Sequence, residues 1–214
     1  MTKKFYMTPG SCSTGIHILL EECGLVFEAH IVNLLAGDQY KKEYLAINPK
    51  GSIPALVLDD GSSLTEFSAI AWWLARTYPK RKLLPDSITG EVRVLGIMNY
   101  AVNTLHMQGF ARIFTTERFS SSSTEHESVK AQGRQIIDQG FAILNRELAG
   151  HEYLAEHFTI ADAALFYVEF WAVRTGIPLP ANCAAHYQRM LTRPAVRQVL
   201  AEEGYVSALR PANS

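Results

Sequence analysis

What this chain has little of narrows its function before any motif is considered. No apolar run approaches the roughly 20 residues that a membrane-spanning helix needs, and Met1-Thr2-Lys3-Lys4-Phe5 leads straight into a strand-like segment without a long apolar leader. Charge of either sign is nearly balanced: the net value of −1 leaves no electrostatic footprint for nucleic acid or an anionic membrane. Cysteine is scarce. Cys12, Cys23 and Cys183 are odd in number and include no C-x-x-C pair, which argues against a disulfide framework and against a structural zinc site, so the three are read as thiols and no metal is assigned. No internal repeat is visible. The 214 residues, 48% hydrophobic and 19% charged, suit an ordinary globular protein of one large or two small domains, expected to be cytoplasmic.

The first third of the chain alternates strand and helix signals. Phe5 to Met7 reads as a short strand, Thr8-Pro9-Gly10-Ser11 as a turn, Ile16 to Cys23 as a helix stopped by Gly24, and Val26 to Val32 as a second strand. A short helix near Lys41 to Ile47 follows, then the Ile53-Pro54 step and the apolar run Ala55 to Leu58. The dipeptide Asp60-Gly61 turns the chain into Ser62 to Thr65, the second strand of a hairpin, and an apolar helix continues through Ile70 to Arg76. The order βαβαββα is that of an α/β thioredoxin-like domain, assigned to residues 1–79. A polar, proline-flanked linker over 80–90 separates it from an all-α domain over 91–214, where strand signals stop. Residues Glu91 to Phe119 and Ser128 to Leu148 carry helical periodicity on either side of the serine run Ser120 to Ser123, read as an exposed connection. Thr159-Ile160-Ala161-Asp162 has capping-box spacing, with Phe158 placed as a hydrophobic staple, so Asp162 is given a structural role at the start of a helix over Ile160 to Val173.

The chemistry concentrates in two segments of the first domain. Asn48-Pro49-Lys50-Gly51-Ser52-Ile53-Pro54-Ala55-Leu56 leads to Leu64-Thr65-Glu66-Phe67-Ser68-Ala69-Ile70, where Glu66 stands at the end of a strand and Phe67, Ser68 and Ala69 open a helix. A helix N-terminus attracts an anion and a neighbouring carboxylate a cation, so a ligand with an ammonium and a carboxylate on one carbon fits both. Cys12, in the turn that opens the first helix, is expected to have a lowered pKa from the positive helix end. Asn99, Asn103, His106 and Phe110 fall at i, i+4, i+7 and i+11, on one face of a regular helix. His17, among Ile16, Ile18 and Leu19, is read as a satisfied packing histidine.

The two segments together resemble the glutathione-binding half of the cytosolic glutathione transferases. The run Tyr6-Met7-Thr8-Pro9-Gly10-Ser11-Cys12-Ser13 and the segment Leu105-His106-Met107-Gln108-Gly109-Phe110 look like motifs of the bacterial beta class. The resemblance spans essentially the whole chain. It implies glutathione as co-substrate, with no bound cofactor, held by the Ile53 backbone before a cis Pro54, by Glu66 on its ammonium, and by the Phe67 and Ser68 N–H groups on its carboxylate. Cys12 and His106 would stabilise the thiolate, with Tyr6, Ser11 and Ser13 as rival activators. Asn99 and Asn103 would share the His106 face that closes the cleft above Cys12. Lys50 and Lys41 are weaker candidates for the second carboxylate. A small hydrophobic electrophile would lie against Phe110, Ile113 and Phe114. The reaction implied is conjugation, in detoxification or catabolism, by a homodimer. Two other readings stay open: a thiol-disulfide oxidoreductase in which Cys12 itself attacks, and a binding protein that keeps the ligand without chemistry. The position after the cradle glutamate departs from the family habit of serine or glycine, since it is Phe67.

Overall fold

The computed structural model describes residues 2–209. By their contacts they divide into two compact units, one made of the chain up to Leu83 together with the chain from Met190 onward, the other of Leu84–Arg189.

The first unit is built on a mixed sheet of order β2-β1-β3-β4, with β1 at Lys3–Met7, β2 at Phe27–Ile31, β3 at Ala55–Val57 and β4 at Ser63–Thr65. β1 runs parallel to β2 and antiparallel to β3, and β3 and β4 form the hairpin that turns at Asp60-Gly61. Its helices are α1 at Ser13–Cys23, the single turn α2 at Lys42–Leu45, and α3 at Phe67–Thr77, so the strand and helix order is βαβαββα as the sequence implied. Strand pleating explains which side chains go inside: Phe5 and Met7 are buried while Tyr6, between them, points to the other face. Phe5 stands opposite Leu56 of β3, and both are fully buried. α1 carries Ile16, Leu19 and Leu20 into the same core, where it packs on α3 and on α9, at Pro194–Glu202. That last helix thus joins the first unit, although periodicity alone groups it with the helices before it.

The second unit is helical: α4 at Ile88–Asn99, α5 at Ala111–Phe114, α6 at His126–Glu147, α7 at Ile160–Arg174 and most of α8 at Ala181–Thr192. α7 is buried on all sides from Ile160 to Ala172, as an apolar helix at the centre of a bundle must be. It starts with the expected capping box, in which the Thr159 N–H donates to Asp162 Oδ2 at 2.7 Å and Thr159 Oγ1 accepts from Ala161 N–H.

The expected continuous helix from Glu91 to Phe119 is interrupted. Tyr100–Phe110 is wound as a π-helix, and the chain leaves helical winding at Phe114 before a short 3₁₀ turn at Thr116–Arg118. Bonding five residues back instead of four widens each turn, so positions spaced for an α-helical face no longer stack. Asn103 is exposed, Asn99 and His106 are half-buried and Phe110 is fully buried, so the four positions differ in exposure.

α6 lies against this π-helical segment at close range. A Cβ on Gly133 would stand 2.7 Å from the Gly109 carbonyl oxygen and 2.8 Å from Arg112 Cβ. Because the first of these is a backbone atom that cannot rotate away, Gly133→Ala is expected to destabilise the protein by about 1–3 kcal/mol as an overpacking change, against a helix-propensity gain of about 1 kcal/mol. A urea midpoint that rises in the variant would contradict this close approach.

Candidate functional site

In the first unit the chain before Pro54 is fixed by its own side chains. Tyr44 Oη and Asn48 Nδ2 both donate to the Ser52 carbonyl, at 2.6 and 2.7 Å, and the Lys50 N–H donates to Asn48 Oδ1 at 3.2 Å. Asn48 is fully buried, so this is an internal brace and not a surface contact. It presents Ile53, followed by a cis peptide to a buried Pro54.

Glu66 sits at the N-cap of α3 with φ 73° and ψ 130°, a backbone setting that residues with a Cβ seldom occupy. The setting places the carboxylate beside the positive end of α3, where Phe67 is buried and Ser68 half-buried. The Glu66 carboxylate is not alone. Lys50 Nζ lies 2.7 Å from Glu66 Oε1 and 2.9 Å from Thr65 Oγ1. Lys50 is thus a partner of Glu66, whereas Lys41 pairs with Asp38 at 2.6 Å on the surface.

Cys12 is the N-cap of α1 and is 8% exposed. Its Sγ points at the Ile53 carbonyl at 3.8 Å, which brings the thiol and the residue before cis-Pro54 together. Burial pushes the thiol up to about 12, against the opposing pull of backbone N–H groups at Cys12 and Ser13. The expectation of a lowered pKa is thus reversed: desolvation outweighs the helix end. Cys12 is a thiol, and a hydrogen-bond donor, at neutral pH.

The two serines among the rival activators are engaged within the turn. Ser11 and Ser13 share a hydrogen bond at 2.6 Å, and Ser13 Oγ also donates to the Thr8 carbonyl and accepts from the Thr8 N–H, each at 3.1 Å. Ser13 is fully buried and serves the turn. The Tyr6 ring stacks on His30, 4.8 Å between centroids, and meets Tyr44 edge-on, on the sheet face opposite Phe5 and Met7. There it lines a shallow hollow with Lys4, Ile47 and Val57.

Sequence reasoning missed the residues that stand behind the Cys12 turn. Glu203, buried at 8% exposure, accepts from the Gly10 N–H, from Thr14 Oγ1 and from His17 Nδ1 at 2.7, 2.7 and 2.9 Å. His17 is satisfied and packed as expected, its ring against Phe5 and Phe27, and it also has carboxylate partners, since its Nε2 lies 3.2 Å from Glu202. His17, Glu21 and Glu202 hold three potential ligand atoms within 4.8 Å of one another, yet both ring nitrogens of His17 already have carboxylate partners. No local signal marks Glu203, which lies 193 residues from Gly10.

In the second unit, His106 Nδ1 lies 3.3 Å from Tyr167 Oη, and its ring meets Trp171 edge-on at 4.8 Å. Burial holds its pKa down at about 4, so the imidazole is neutral at pH 7. Phe110 stacks on Phe114, and Trp171 meets both edge-on at 5.4 and 5.2 Å. Of the three expected wall residues, Phe110 is fully buried and supports the others, Ile113 is half-buried, and Phe114 is 48% exposed.

Comparison with known proteins places this arrangement. The family profile described as glutathione S-transferase, N-terminal domain, matches residues 10–77, and that described as glutathione S-transferase, C-terminal domain, matches residues 127–189. Glutathione S-transferase GstA of Escherichia coli O157:H7 is 36% identical over 210 residues, spanning 94% of this chain and 98% of that protein. A glutathione transferase homologue from Sulfitobacter, solved with bound glutathione, is 29% identical with a TM-score of 0.86, over 94% of this chain and 98% of the other. A bacterial beta class glutathione S-transferase from Sphingomonas chungbukensis is 32% identical with a TM-score of 0.82, over 95% and 100% of the two chains. With similarity to curated relatives and to solved structures running over nearly its full length, the chain belongs to the glutathione S-transferase family.

Proposed function

We propose that the first unit binds glutathione and that the protein transfers the glutathione thiol to a small hydrophobic electrophile. The observation that carries this reading is the convergence of a protonated Cys12 thiol on the carbonyl of Ile53, next to the cis-Pro54 bend. Glu66 at the head of α3 supports it as the anchor for the ligand's ammonium. In this reading the Ile53 backbone pairs with the cysteinyl residue of glutathione and Glu66 takes its ammonium. The N-terminal end of α3, at Phe67 and Ser68, takes the α-carboxylate through backbone N–H groups, for which the identity of the Phe67 side chain is immaterial. Lys50 holds Glu66 in place and shares it with, or yields it to, the incoming ammonium.

The Cys12 S–H then donates to the glutathione sulfur and favours its thiolate. The glutathione thiol loses its proton to solvent, its sulfur attacks the electrophilic carbon and forms the new bond, and the leaving group departs with the bonding pair. A thiol held near 12 is a poor attacking nucleophile at neutral pH, which favours conjugation over a cycle in which Cys12 itself forms a mixed disulfide. In the second unit Phe114 and Ile113, backed by Phe110 and Trp171, are the proposed apolar wall for the electrophile, and neutral His106 beside Trp171 is its polar neighbour. Asn99 and Asn103 are assigned to the polar edge of that region. A homodimer, a cytoplasmic location and a role in detoxification or catabolism complete the reading.

The test is calorimetric titration with reduced glutathione. Glu66→Ala is expected to weaken binding at least tenfold, about 1.4 kcal/mol, while Cys12→Ser, which keeps a donor, is expected to retain most conjugation of a small aromatic halide. Absence of glutathione binding by the unmodified protein would sink the proposal. Loss of all turnover in Cys12→Ser with disulfide reduction present in the parent would hand the site to the oxidoreductase reading.

A further inference from the structure

One peptide bond in the Cys12 turn is gripped at both of its polar atoms by the far end of the chain. The Gly10 N–H donates to Glu203 Oε2 at 2.7 Å, and the Pro9 carbonyl, the other pole of the same peptide, accepts from Tyr205 Oη at 3.4 Å. These partners are 193 and 196 residues away in sequence. The two poles of a trans peptide point in opposite directions, so holding both fixes the rotation of the plane.

The grip extends past the hydrogen bonds. Gly10 has φ +72°, and a Cβ there would collide with the Tyr205 hydroxyl, so the tyrosine occupies the volume that any other residue at position 10 would need. Glu203 binds α1 through Thr14 and His17 as well as the turn through Gly10, so it ties the two segments that flank Cys12 to one carboxylate. The one carboxylate meets Gly10, Thr14 and His17 together, and an amide in its place would replace one of the two accepting oxygens by an N–H donor. Glu203 and Tyr205 are set by the end of α9, where the Tyr205 N–H donates to the Leu200 carbonyl at 2.6 Å, and α9 itself packs on α1.

We propose that Glu203 and Tyr205 are positioning residues, a two-sided clamp on the Pro9–Gly10 peptide that sets where the Cys12 thiol stands against the Ile53 carbonyl. Neither side chain is among those proposed above to hold glutathione. Their role in turnover rests on the glutathione reading above, whereas their hold on Cys12 does not. Releasing either jaw lets the plane rotate, the turn open and the thiol leave its buried position. Glutathione would then bind a site whose sulfur-facing donor is misplaced.

The test uses full-length Tyr205→Ala and Glu203→Gln beside the parent protein, with iodoacetamide alkylation of Cys12, Cys23 and Cys183 followed separately by peptide mass spectrometry. Cys12 alkylation is expected to rise at least tenfold in both variants, with Cys23 and Cys183 unchanged and with circular dichroism retained. Glutathione KM is expected to rise while the KM for the electrophile stays put. Unchanged Cys12 alkylation, or all three cysteines accelerating together as in general loosening, overturns the clamp. Should Glu203→Gln fail to fold, Tyr205→Ala decides alone, because it leaves the buried carboxylate and its three donors intact. A parent protein without glutathione turnover would remove the functional reading and leave the alkylation result to judge the clamp.

Discussion

Replacing His186 with alanine is expected to lower the free energy of unfolding by about 3–5 kcal/mol, the penalty for breaking a buried ion pair by removing one partner. His186 of α8 is fully buried between two carboxylates that are also fully buried, with Nδ1 2.9 Å from Glu169 Oε2 and Nε2 3.3 Å from Asp162 Oδ1. Burial alone would push its pKa down. Glu169 and Asp162 outweigh that and raise it to about 10, so the ring is an imidazolium at neutral pH. Asp162 is also the third-position partner in the α7 capping box and accepts from the Leu154 and Thr159 N–H groups. One cation therefore holds the start of α7, a glutamate two turns along it, and the helix that packs beside it. Without the cation two carboxylates face each other in an apolar interior.

The same cluster gives the protein a pH dependence with a definite sign. A raised folded-state pKa on His186 contributes stability that is fully present below its unfolded value near 6.5 and is lost as pH rises through about 10. Glu169, pushed up to about 7 chiefly by burial, also binds its proton more tightly folded than unfolded, and its contribution fades as pH climbs from about 4.5 through 7. Both slopes point the same way. Urea midpoints are expected to fall between pH 6 and pH 10 in the parent protein. In His186→Ala, Glu169 loses the cation that opposes its burial, so its own titration moves up and carries the alkaline decline, and the deficit should shrink at pH 5, where Glu169 is protonated. A deficit as large at pH 5 as at pH 7 would show that other groups govern the dependence.

The sequence was most legible where structure is decided within a few residues. The alternation around Phe5 and Met7, the stop of α1 at Gly24, the turn at Asp60-Gly61 and the capping box at Thr159 each depend on neighbours in the chain, and each stands in the structure. The π-helical winding of Tyr100–Phe110 was not legible, because the apolar spacing that suggests a helix does not distinguish four-residue from five-residue closure. Cys12 illustrates a different limit. Its place at the head of α1 could be read, but the sign of its pKa shift depends on how completely the turn and the Ile53 strap bury it, and that is a matter of packing. The partnership of Lys50 with Glu66 joins two residues that had been assigned separate ligand groups, 16 positions apart. The Glu203 and Tyr205 contacts reach farthest of all and carry no local sign, since an acidic residue and a tyrosine after a helix are ordinary until the fold brings them to Gly10.

Glu66 offers the sharpest separation of stability from function, because its backbone and its carboxylate can be removed one at a time. Its φ of 73° with ψ of 130° lies where a Cβ is disfavoured, a strain of order 1–3 kcal/mol when the surroundings enforce it. Glu66→Ala removes the carboxylate and the exposed contact to Lys50, which is worth little in water, and keeps the Cβ. Glu66→Gly removes both and relieves the strain. At an ordinary position glycine is less stable than alanine by about 0.5–1 kcal/mol through chain entropy. Here the order is expected to invert, with Glu66→Gly more stable than Glu66→Ala by about 1 kcal/mol or more in urea denaturation. The two variants should nevertheless share the same loss of glutathione affinity, since neither has a carboxylate for the ammonium. Alanine proving the more stable of the two would mean that the backbone at 66 relaxes without cost. A glycine variant binding glutathione as tightly as the parent would move the ammonium's partner away from Glu66. The expected combination, gained stability with lost affinity, identifies the strain at residue 66 as what the fold gives up to aim a carboxylate at its ligand.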